Sequence, residues 1–253
     1  MVSHSERQFD AVADTYATEE FPIKTWVESP TFYRVIGDLK DRTVLDMGCG
    51  NGLYSRSIKS QGARQVFGFD ISPEMIRVAR QFERQDPCQI EYAVHDATNM
   101  PRLGLFDDVV AINVLHYANN HADLAAMMRN AAQHLHPGGR FTALVHNADY
   151  ENNGYASRKY GYEVHMPLIR RDGEKITMEI LAGDGLPTRG SSFTIHFQYY
   201  QRRTYEAALR LAGFRDISWH RFDTATSTPE NYPPDFWQEA VANPYSDILH
   251  CRI

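Results

Sequence analysis

The pattern of hydrophobic and polar positions changes twice along the chain. Residues 1–40 show helical periodicity, with apolar positions returning every three or four residues. In residues 41–150, short apolar runs alternate with amphipathic segments that carry helix start signals, such as Ser72 followed by Pro73. This alternation predicts a parallel sheet that is covered by helices on both faces.

A different pattern begins near residue 160. The segments "YEVHMPLI", "KITMEIL" and "SFTIHFQYY" alternate with period two, which predicts antiparallel strands, and Asp172-Gly173 is a hairpin signal. A helix and two further strands then complete the main sheet. We therefore predict one α/β domain over 1–253 with a doubly wound, seven-stranded Rossmann-like sheet. Its parts are a helical cap (1–40), a cofactor-binding core (41–150), an antiparallel β insertion (160–200) and the end of the sheet (201–253).

The insertion is expected above the carboxyl ends of the parallel strands, where ligands bind in open α/β sheets, and would act there as a lid. One face of its last strand carries Phe193, Ile195, Phe197 and Tyr199, and the other carries Thr194, His196, Gln198 and Tyr200. We expect the apolar face to pack and the polar face to look into the pocket. The reverse orientation stays open, because the two adjacent tyrosines blur the pattern.

Composition and charge exclude several classes of protein. The chain of 253 residues is 43% hydrophobic and has a net charge of −6, which is typical of a folded protein and unlike a general nucleic-acid binder. No apolar run approaches the roughly 20 residues that a membrane span needs. The three cysteines form no C-x-x-C pair, which favours reduced thiols in the cytoplasm. No residue cluster indicates a metal site.

The stretch "VLDMGCGNG" places a glycine-rich turn directly after the first predicted strand. Such a turn lets the backbone approach a ligand closely. Its spacing is G-x-G-x-G, whereas the dinucleotide fingerprint requires a third glycine where Leu53 stands. Asp46, at the end of the strand, would repel a pyrophosphate but suits S-adenosylmethionine, which has a sulfonium, an ammonium and no phosphate. Both features count against the alternative enzyme class, a nicotinamide-dependent oxidoreductase.

Two further carboxylates end the next two predicted strands. Asp70 ends the second strand, where a carboxylate can accept hydrogen bonds from both ribose hydroxyls. Asp96 ends the third strand and is placed to accept a hydrogen bond from an adenine amino group. Acidic residues at three successive strand ends therefore predict a nucleoside site.

Five motifs resemble, in order and spacing, those of the class I S-adenosylmethionine-dependent methyltransferases. They are "VLDMGCGNG", "GFDISPEMI", "HDATNMP", "FDDVVAINVLHY" and "LHPGGRF", and they cover about residues 40–146. The resemblance implies S-adenosyl-L-methionine as the cofactor, with the methionine part near the glycine loop and the adenine packed on the second helix. The implied cofactor-binding residues are Tyr16, Asp46, Gly48, Cys49, Gly50, Asp70, Ile71, Met75, Asp96, Ala97 and Asn113.

A weaker resemblance covers the rest of the chain. "FDAVADTY", the β-rich insertion, "TYEAALRLAGF" and "PPDFWQEAVANPYSDILHCRI" are similar to methyltransferases of bacterial secondary-metabolite pathways, such as toxoflavin biosynthesis. This implies a small-molecule methyl acceptor that is methylated on nitrogen or oxygen, by a monomer or a homodimer. A non-catalytic scaffold that kept the fold is the third interpretation.

Three residues are candidates for chemistry on the acceptor. His116 and Tyr117 follow the fourth strand, at the edge where the methyl group should be presented, and His196 lies in the insertion. A histidine titrates near neutral pH and can take a proton from an N–H or O–H nucleophile. Ordinary packing is the alternative for each residue, because an activated sulfonium makes a general base optional.

Overall fold

The computed structural model describes residues 3–18, 22–151, 154–183, 191–223, 232–233 and 235–253. Ten strands lie in these ranges and form two separate sheets. In chain order they are β1 (Thr43–Met47), β2 (Gln65–Asp70), β3 (Ile90–Val94), β4 (Phe106–Ile112), β5 (Leu135–His146), β6 (Tyr162–His165), β7 (Glu174–Ile180), β8 (Phe193–Tyr199), β9 (Arg215–His220) and β10 (Ser246–Arg252).

The described helices surround the larger sheet. They are α1 (His4–Thr18), α2 (Ser29–Ile36), α3 (Leu53–Ser60), α4 (Pro73–Gln85), α5 (His121–Gln133), α6 (Arg202–Leu211) and α7 (Gln238–Ala242). A π-helical turn (Lys24–Glu28) leads directly into α2, and two 3-10 turns follow β4 and β5 (Leu115–Tyr117 and Gly154–Tyr160). Within the described part of the chain, none of these helices has the length and apolar character that a membrane span requires.

The larger sheet has the strand order β3-β2-β1-β4-β5-β10-β9. The first five strands pair in parallel, and β10 runs antiparallel to β5 and to β9. Every residue of β1 is buried, because this strand lies between β2 and β4 with helices on both sides. This confirms the predicted doubly wound, seven-stranded fold, and it brings the carboxyl ends of β1 to β4 to one edge.

The start of β5 differs from the expectation. Pro137-Gly138-Gly139 within the motif "LHPGGRF" is typical of a helix stop, which predicts a strand that begins at Arg140. The helix instead ends at Gln133 and the strand begins at Leu135, which pairs with Phe106. The register then shifts, so the Pro-Gly-Gly sequence bulges out of the ladder. Gly139 is required there, since a Cβ would lie 2.8 Å from a neighbouring carbonyl oxygen.

The smaller sheet, with order β6-β7-β8, is antiparallel as predicted. The Asp172-Gly173 signal is not the tight turn between β6 and β7, because residues 166–173 form a longer connection. Asp172 instead accepts hydrogen bonds from the Gln201 amide (2.6 Å) and the Thr204 hydroxyl (2.5 Å) at the start of α6. The dipeptide therefore fastens the insertion to the core.

The smaller sheet rests on the carboxyl ends of β4 and β5. The ring of Phe197 lies 5.0 Å from that of His116, which follows β4, and 5.2 Å from that of His146, the last residue of β5. The Tyr199 hydroxyl donates to the Ala148 carbonyl at 3.2 Å. The apolar side of β8 therefore faces the ligand-binding edge of the larger sheet.

Helix α1 connects the two sheets. It packs on α4 through an apolar cluster that includes Ala13 and Met75. The side-chain amide of Gln8 pairs with both backbone groups of His196 on β8, accepting at 2.7 Å and donating at 3.3 Å. Two residues along, Asp10 accepts a hydrogen bond of 2.5 Å from the hydroxyl of Ser72.

Candidate active site

The glycine loop after β1 turns the chain sharply into α3. Gly48, Gly50 and Gly52 have φ values of 71°, 55° and 79°, a region that L side chains rarely adopt. The amides of Gly48 and Cys49 both donate to the Phe69 carbonyl, at 2.8 and 2.9 Å. The loop is thus fixed to β2, and its three glycines are required by backbone geometry.

The glycines differ in what surrounds them. A Cβ on Gly48 would lie 2.4 and 2.7 Å from carbon atoms of Val114, so that side chain occupies the space. A Cβ on Gly50 would meet nothing within 4 Å, because the residue opens onto a cavity. Gly48 is therefore needed for packing of the protein itself, whereas Gly50 leaves room for a ligand.

Asp70, the last residue of β2, holds two loops together. Its Oδ2 accepts from the Gly50 amide and its Oδ1 from the Ser72 amide, both at 2.9 Å. Burial raises the pKa of this carboxyl, and the two amide bonds oppose the shift because they stabilise the ionised form.

Asp46 is almost fully buried, with 1% of its surface exposed. Burial raises its pKa to about 7, although the Ser55 hydroxyl, which donates at 2.5 Å, works against this shift. The nearby Asp70 carboxylate adds a smaller upward effect. Burial also raises the pKa of the Cys49 thiol well above its usual value, which leaves a protonated sulfur with no nucleophilic character.

These residues line a cavity of about 460 Å³ at the carboxyl edge of the sheet, which we term the large cavity. It brings together all of the residues that the sequence predicts to bind the cofactor. They are Tyr16, Asp46, Gly48, Cys49, Gly50, Asp70, Ile71, Met75, Asp96, Ala97 and Asn113.

Asp96 stands at the exposed rim of the large cavity. Its Oδ1 accepts from the Thr98 amide and the Thr98 hydroxyl, each at 2.8 Å. This local turn fixes the carboxylate at the end of β3. Asn113, by contrast, lies inside, with a φ of 55° directly after β4.

A second cavity of about 60 Å³, the small cavity, adjoins the large one. The two share Tyr16, Lys24, Asn113 and Tyr117. The small cavity lies between the carboxyl edge of the sheet and the apolar side of the insertion. Its other lining residues are Ile23, Glu28, His116, Tyr160, Gly161, Tyr162, Met178, Ile180, Ile195 and Tyr245.

His116 lines the small cavity, but its environment does not suit a proton acceptor. Burial lowers its pKa to about 3. The backbone amide of His146 donates to its Nδ1 at 3.4 Å, so the proton of the neutral ring is assigned to Nε2. The ring therefore offers a hydrogen-bond donor, which corrects the expectation of a general base. Tyr117 lies at the junction of the two cavities, with its ring 5.0 Å from that of Phe9.

The structure places His196 away from both cavities, and the predicted orientation of β8 is wrong. Ile195 lines the small cavity, while His196 lies on the opposite side, with its Nδ1 3.1 Å from the Thr177 hydroxyl and its ring stacked on His4. Tyr200 is buried and donates to the Ala118 carbonyl at 2.8 Å. The apolar face of β8 turns toward the small cavity because this orientation removes more apolar side-chain surface from water.

Sequence reasoning missed most residues of the small cavity, among them two charged residues, Lys24 and Glu28, and two tyrosines, Tyr162 and Tyr245. The first two are spaced four residues apart, as in a solvent-exposed ion pair on a helix, which is the usual interpretation of such charges. The only signal that these charges are not on the surface was that the segment "KTWVE" lacks a distinct polar face. The two tyrosines lie far apart in sequence, Tyr162 at the start of β6 and Tyr245 directly before β10.

One cluster of possible metal ligands lies outside both cavities. Atoms of Glu163, His165 and Glu179 on the small sheet lie within 4.8 Å of one another. The same groups already make contacts, since the Arg158 guanidinium binds Glu163 at 2.5 Å and His165 Nε2 lies 3.2 Å from Glu179.

Comparisons with known proteins agree with the geometry of the glycine loop and the large cavity. Residues 44–139 match the family model described as a methyltransferase domain. A ubiquinone biosynthesis O-methyltransferase of Xanthomonas oryzae pv. oryzae is 36% identical over 105 residues, which is 41% of this chain and 42% of that protein. The chain thus spans about two fifths of the length of the curated relatives it matches.

Solved structures extend the similarity to nearly the whole fold. The CcbJ methyltransferase of Streptomyces caelestis has a TM-score of 0.68 at 17% identity, covering 97% of both chains. S-adenosylmethionine-bound CalS10, an amino pentose methyltransferase of Micromonospora echinaspora involved in calicheamicin biosynthesis, has a TM-score of 0.55 at 16% identity, covering 96% of this chain and 91% of its own. The fold is therefore that of the Rossmann-like S-adenosylmethionine-dependent methyltransferases.

The glycine loop generates a first prediction. Gly48→Ala should lower the free energy of unfolding by about 2–4 kcal/mol, because it adds a clash with Val114 to an unfavourable φ. Gly50→Ala should lower it by only about 1–2 kcal/mol, from the φ alone. Denaturant unfolding measures both, and adding Val114→Ala to Gly48→Ala should restore part of the loss. Equal losses in the two single variants would contradict this account.

Proposed function

We propose that this protein transfers a methyl group from S-adenosyl-L-methionine to a nitrogen or oxygen atom of a small-molecule metabolite, in secondary metabolism. The observation that carries the proposal is the pair of buried carboxylates, Asp46 and Asp70, at the mouth of a G-x-G-x-G loop in the large cavity. A small, tyrosine-lined cavity lies beside it for the acceptor.

The charge of the large cavity fits this cofactor better than a dinucleotide. Asp46 and Asp70 are both buried there, and each ionised carboxylate stabilises a cation and repels a pyrophosphate. S-adenosylmethionine carries a sulfonium and an ammonium group. Gly50 leaves open space at its Cα, so the backbone can be approached closely. A nicotinamide dinucleotide carries a pyrophosphate instead, so the charge of the large cavity does not favour a nicotinamide-dependent oxidoreductase.

The remaining roles follow from position. Each oxygen of Asp70 accepts one amide hydrogen bond and retains a lone pair, with which it would accept from a ribose hydroxyl. Ile71 and Met75 would pack against the adenine, and Asp96 at the rim would accept from its amino group. Tyr16 lies at the other end and contacts Lys24, whose Nζ is 3.4 Å from the tyrosine hydroxyl.

The reaction requires positioning of the substrates more than acid–base catalysis by the protein. The bound sulfonium supplies an already activated methyl group, and a nitrogen or oxygen nucleophile displaces the thioether and loses its proton. The residues at the junction of the cavities, Asn113 and Tyr117, would orient the acceptor and exclude water. His116 would donate a hydrogen bond from Nε2.

The acceptor is proposed to be small because the small cavity measures about 60 Å³. The insertion would act as its lid. CalS10 is described as acting in calicheamicin biosynthesis and the Xanthomonas relatives in ubiquinone biosynthesis, so related folds serve small-molecule acceptors. An acceptor of the toxoflavin-pathway type is one member of this class.

The proposal is tested by product formation. Purified protein is mixed with S-adenosylmethionine and a panel of metabolites, and S-adenosylhomocysteine and the methylated acceptor are detected by mass spectrometry. Stoichiometric appearance of both products supports the proposal. Cofactor binding without turnover of any acceptor would instead favour a non-catalytic scaffold.

The role of Asp70 yields a second prediction. Asp70→Ala should weaken S-adenosylmethionine binding roughly ten- to a hundredfold, because a charged hydrogen bond contributes about 1.5–3 kcal/mol. Isothermal titration calorimetry measures the affinity, and circular dichroism checks that the variant is folded. Unchanged affinity in a folded variant would rule out ribose binding by this residue.

A third prediction concerns pH. Because the pKa of Asp46 is about 7, lowering the pH protonates the carboxyl and removes its attraction for a cation. S-adenosylmethionine affinity should therefore fall by up to roughly tenfold between pH 7 and pH 5.5. In Asp46→Asn this dependence should be much weaker, whereas the exposed control Asp86→Asn should retain it. Calorimetry at several pH values measures this dependence. If the affinity of Asp46→Asn changed with pH as steeply as that of the unmodified protein, the role assigned to Asp46 would be disproved.

A further inference from the structure

Glu28 is a buried carboxyl in the wall of the small cavity. It is the last residue of the π-helical turn, and only 5% of its surface is exposed. Its Oε2 has no hydrogen-bond partner among the residues that the structure describes. Such an acceptor loses its bonds to water without replacement, which destabilises the folded state unless a ligand supplies a donor. π-helical turns occur frequently at functional sites.

The electrostatic surroundings of Glu28 come from several elements. Burial raises its pKa, while the Lys24 ammonium and the Ser246 hydroxyl lower it. Burial raises the pKa values of three nearby tyrosines, Tyr54, Tyr162 and Tyr245, and the Glu28 charge adds a smaller upward effect to each. The carboxyl thus sits in a mostly aromatic environment with one nearby cation.

A second residue in the wall of the small cavity also carries an unsatisfied acceptor. Asn113 Oδ1 is buried and has no partner among the described residues, and Asn113 lines both cavities. The two residues that carry these oxygens come from distant parts of the chain, and both line the small cavity. They require a ligand that carries hydrogen-bond donors.

Most of the residues that line the small cavity are aromatic or aliphatic. The rings of Tyr162 and Tyr245 lie 5.6 Å apart, and Ile180 and Ile195 close the side toward the insertion. A volume of about 60 Å³ is smaller than the roughly 150 Å³ cavity that holds benzene, so only the edge of a single ring enters it. The small volume favours a compact group, and the aromatic lining favours a planar one.

We propose that the Glu28 carboxylate binds the substrate that receives the methyl group. It accepts a hydrogen bond from an N–H or O–H group on the edge of a small planar ring, and Asn113 Oδ1 is the second hydrogen-bond acceptor. This rests on the proposed function, since it assigns the small cavity to the methyl acceptor. It narrows the substrate to flat molecules with a free donor at the edge that enters the cavity.

The test compares ring compounds in which a methyl group replaces the hydrogen of this donor, and the Glu28 variant described below separates the loss of the donor from the added bulk. The pairs are 2-pyridone with 1-methyl-2-pyridone, and phenol with anisole. Dissociation constants are measured by ligand-observed nuclear magnetic resonance on the whole 253-residue chain, saturated with S-adenosylhomocysteine. We expect the donor-bearing member of at least one pair to bind at least tenfold more tightly. Equal binding within both pairs, or no binding of any of the four compounds, would overturn the proposal without any variant.

A variant then assigns the effect to Glu28. Glu28→Met removes both acceptor oxygens at similar volume, and it should reduce the preference to less than threefold while S-adenosylhomocysteine affinity stays within threefold. The matched control is Glu179→Met, on the side of the insertion that faces away from the cavity, and it should keep the full preference. A preference retained in Glu28→Met would also overturn the proposal.

The two proposals fail in different ways. If S-adenosylhomocysteine does not bind, the proposed function fails, and the same four compounds still test Glu28 on the protein alone. If S-adenosylhomocysteine binds but the donor has no effect, only the assignment of Glu28 fails.

Discussion

The carboxylate of Asp70 is the junction on which the arrangement of the large cavity depends. One oxygen holds the glycine loop through Gly50, and the other holds the loop after β2 through Ser72. The Ser72 hydroxyl in turn accepts from the Met75 amide at 3.0 Å, which caps α4, and it donates to Asp10 on α1. A continuous chain of hydrogen bonds therefore fixes four elements around one buried charge.

Buried acids of this kind cost stability in the empty protein. Burial raises the pKa of Asp46, Asp70 and Glu28, and that shift is the measure of how poorly each charge is solvated. Asp46 and Asp70 face the large cavity, and Glu28 faces the small one. Hydrogen bonds within the protein hold Asp46 and Asp70 in place, and a cationic or donor-bearing ligand would relieve the unfavourable solvation of the buried acids. This is electrostatic preorganisation achieved with few residues.

The sequence predicted the large cavity well because its residues follow consecutive strands. In a doubly wound sheet the carboxyl ends of neighbouring strands meet, so Asp46, Asp70 and Asp96 could be placed from spacing alone. The bulge near the start of β5 escaped prediction, since the Pro-Gly-Gly sequence serves equally as a helix stop and as a bulge. The residue types of this turn are the same for a helix stop and for a bulge, so they did not distinguish these two structures.

The small cavity could not be predicted in the same way. Glu28, Tyr162, Ile195 and Tyr245 come from four distant parts of the chain, and only the packing of the insertion on the core brings them together. Period-two alternation identified the two faces of β8 but not their orientation, because both carry aromatic residues. Burial decided it, with Phe197 fully covered and His196 on the outer side.

The contact between Gln8 and His196 has a consequence for solubility. β8 lies at the edge of the small sheet, and an edge strand offers unpaired amides and carbonyls to any other extended chain. The side-chain amide of Gln8 occupies both groups of His196 in the middle of that edge. The N-terminal helix therefore also shields a strand rich in Phe and Ile from intermolecular strand addition, and a chain that lost this helix would expose an edge prone to aggregation.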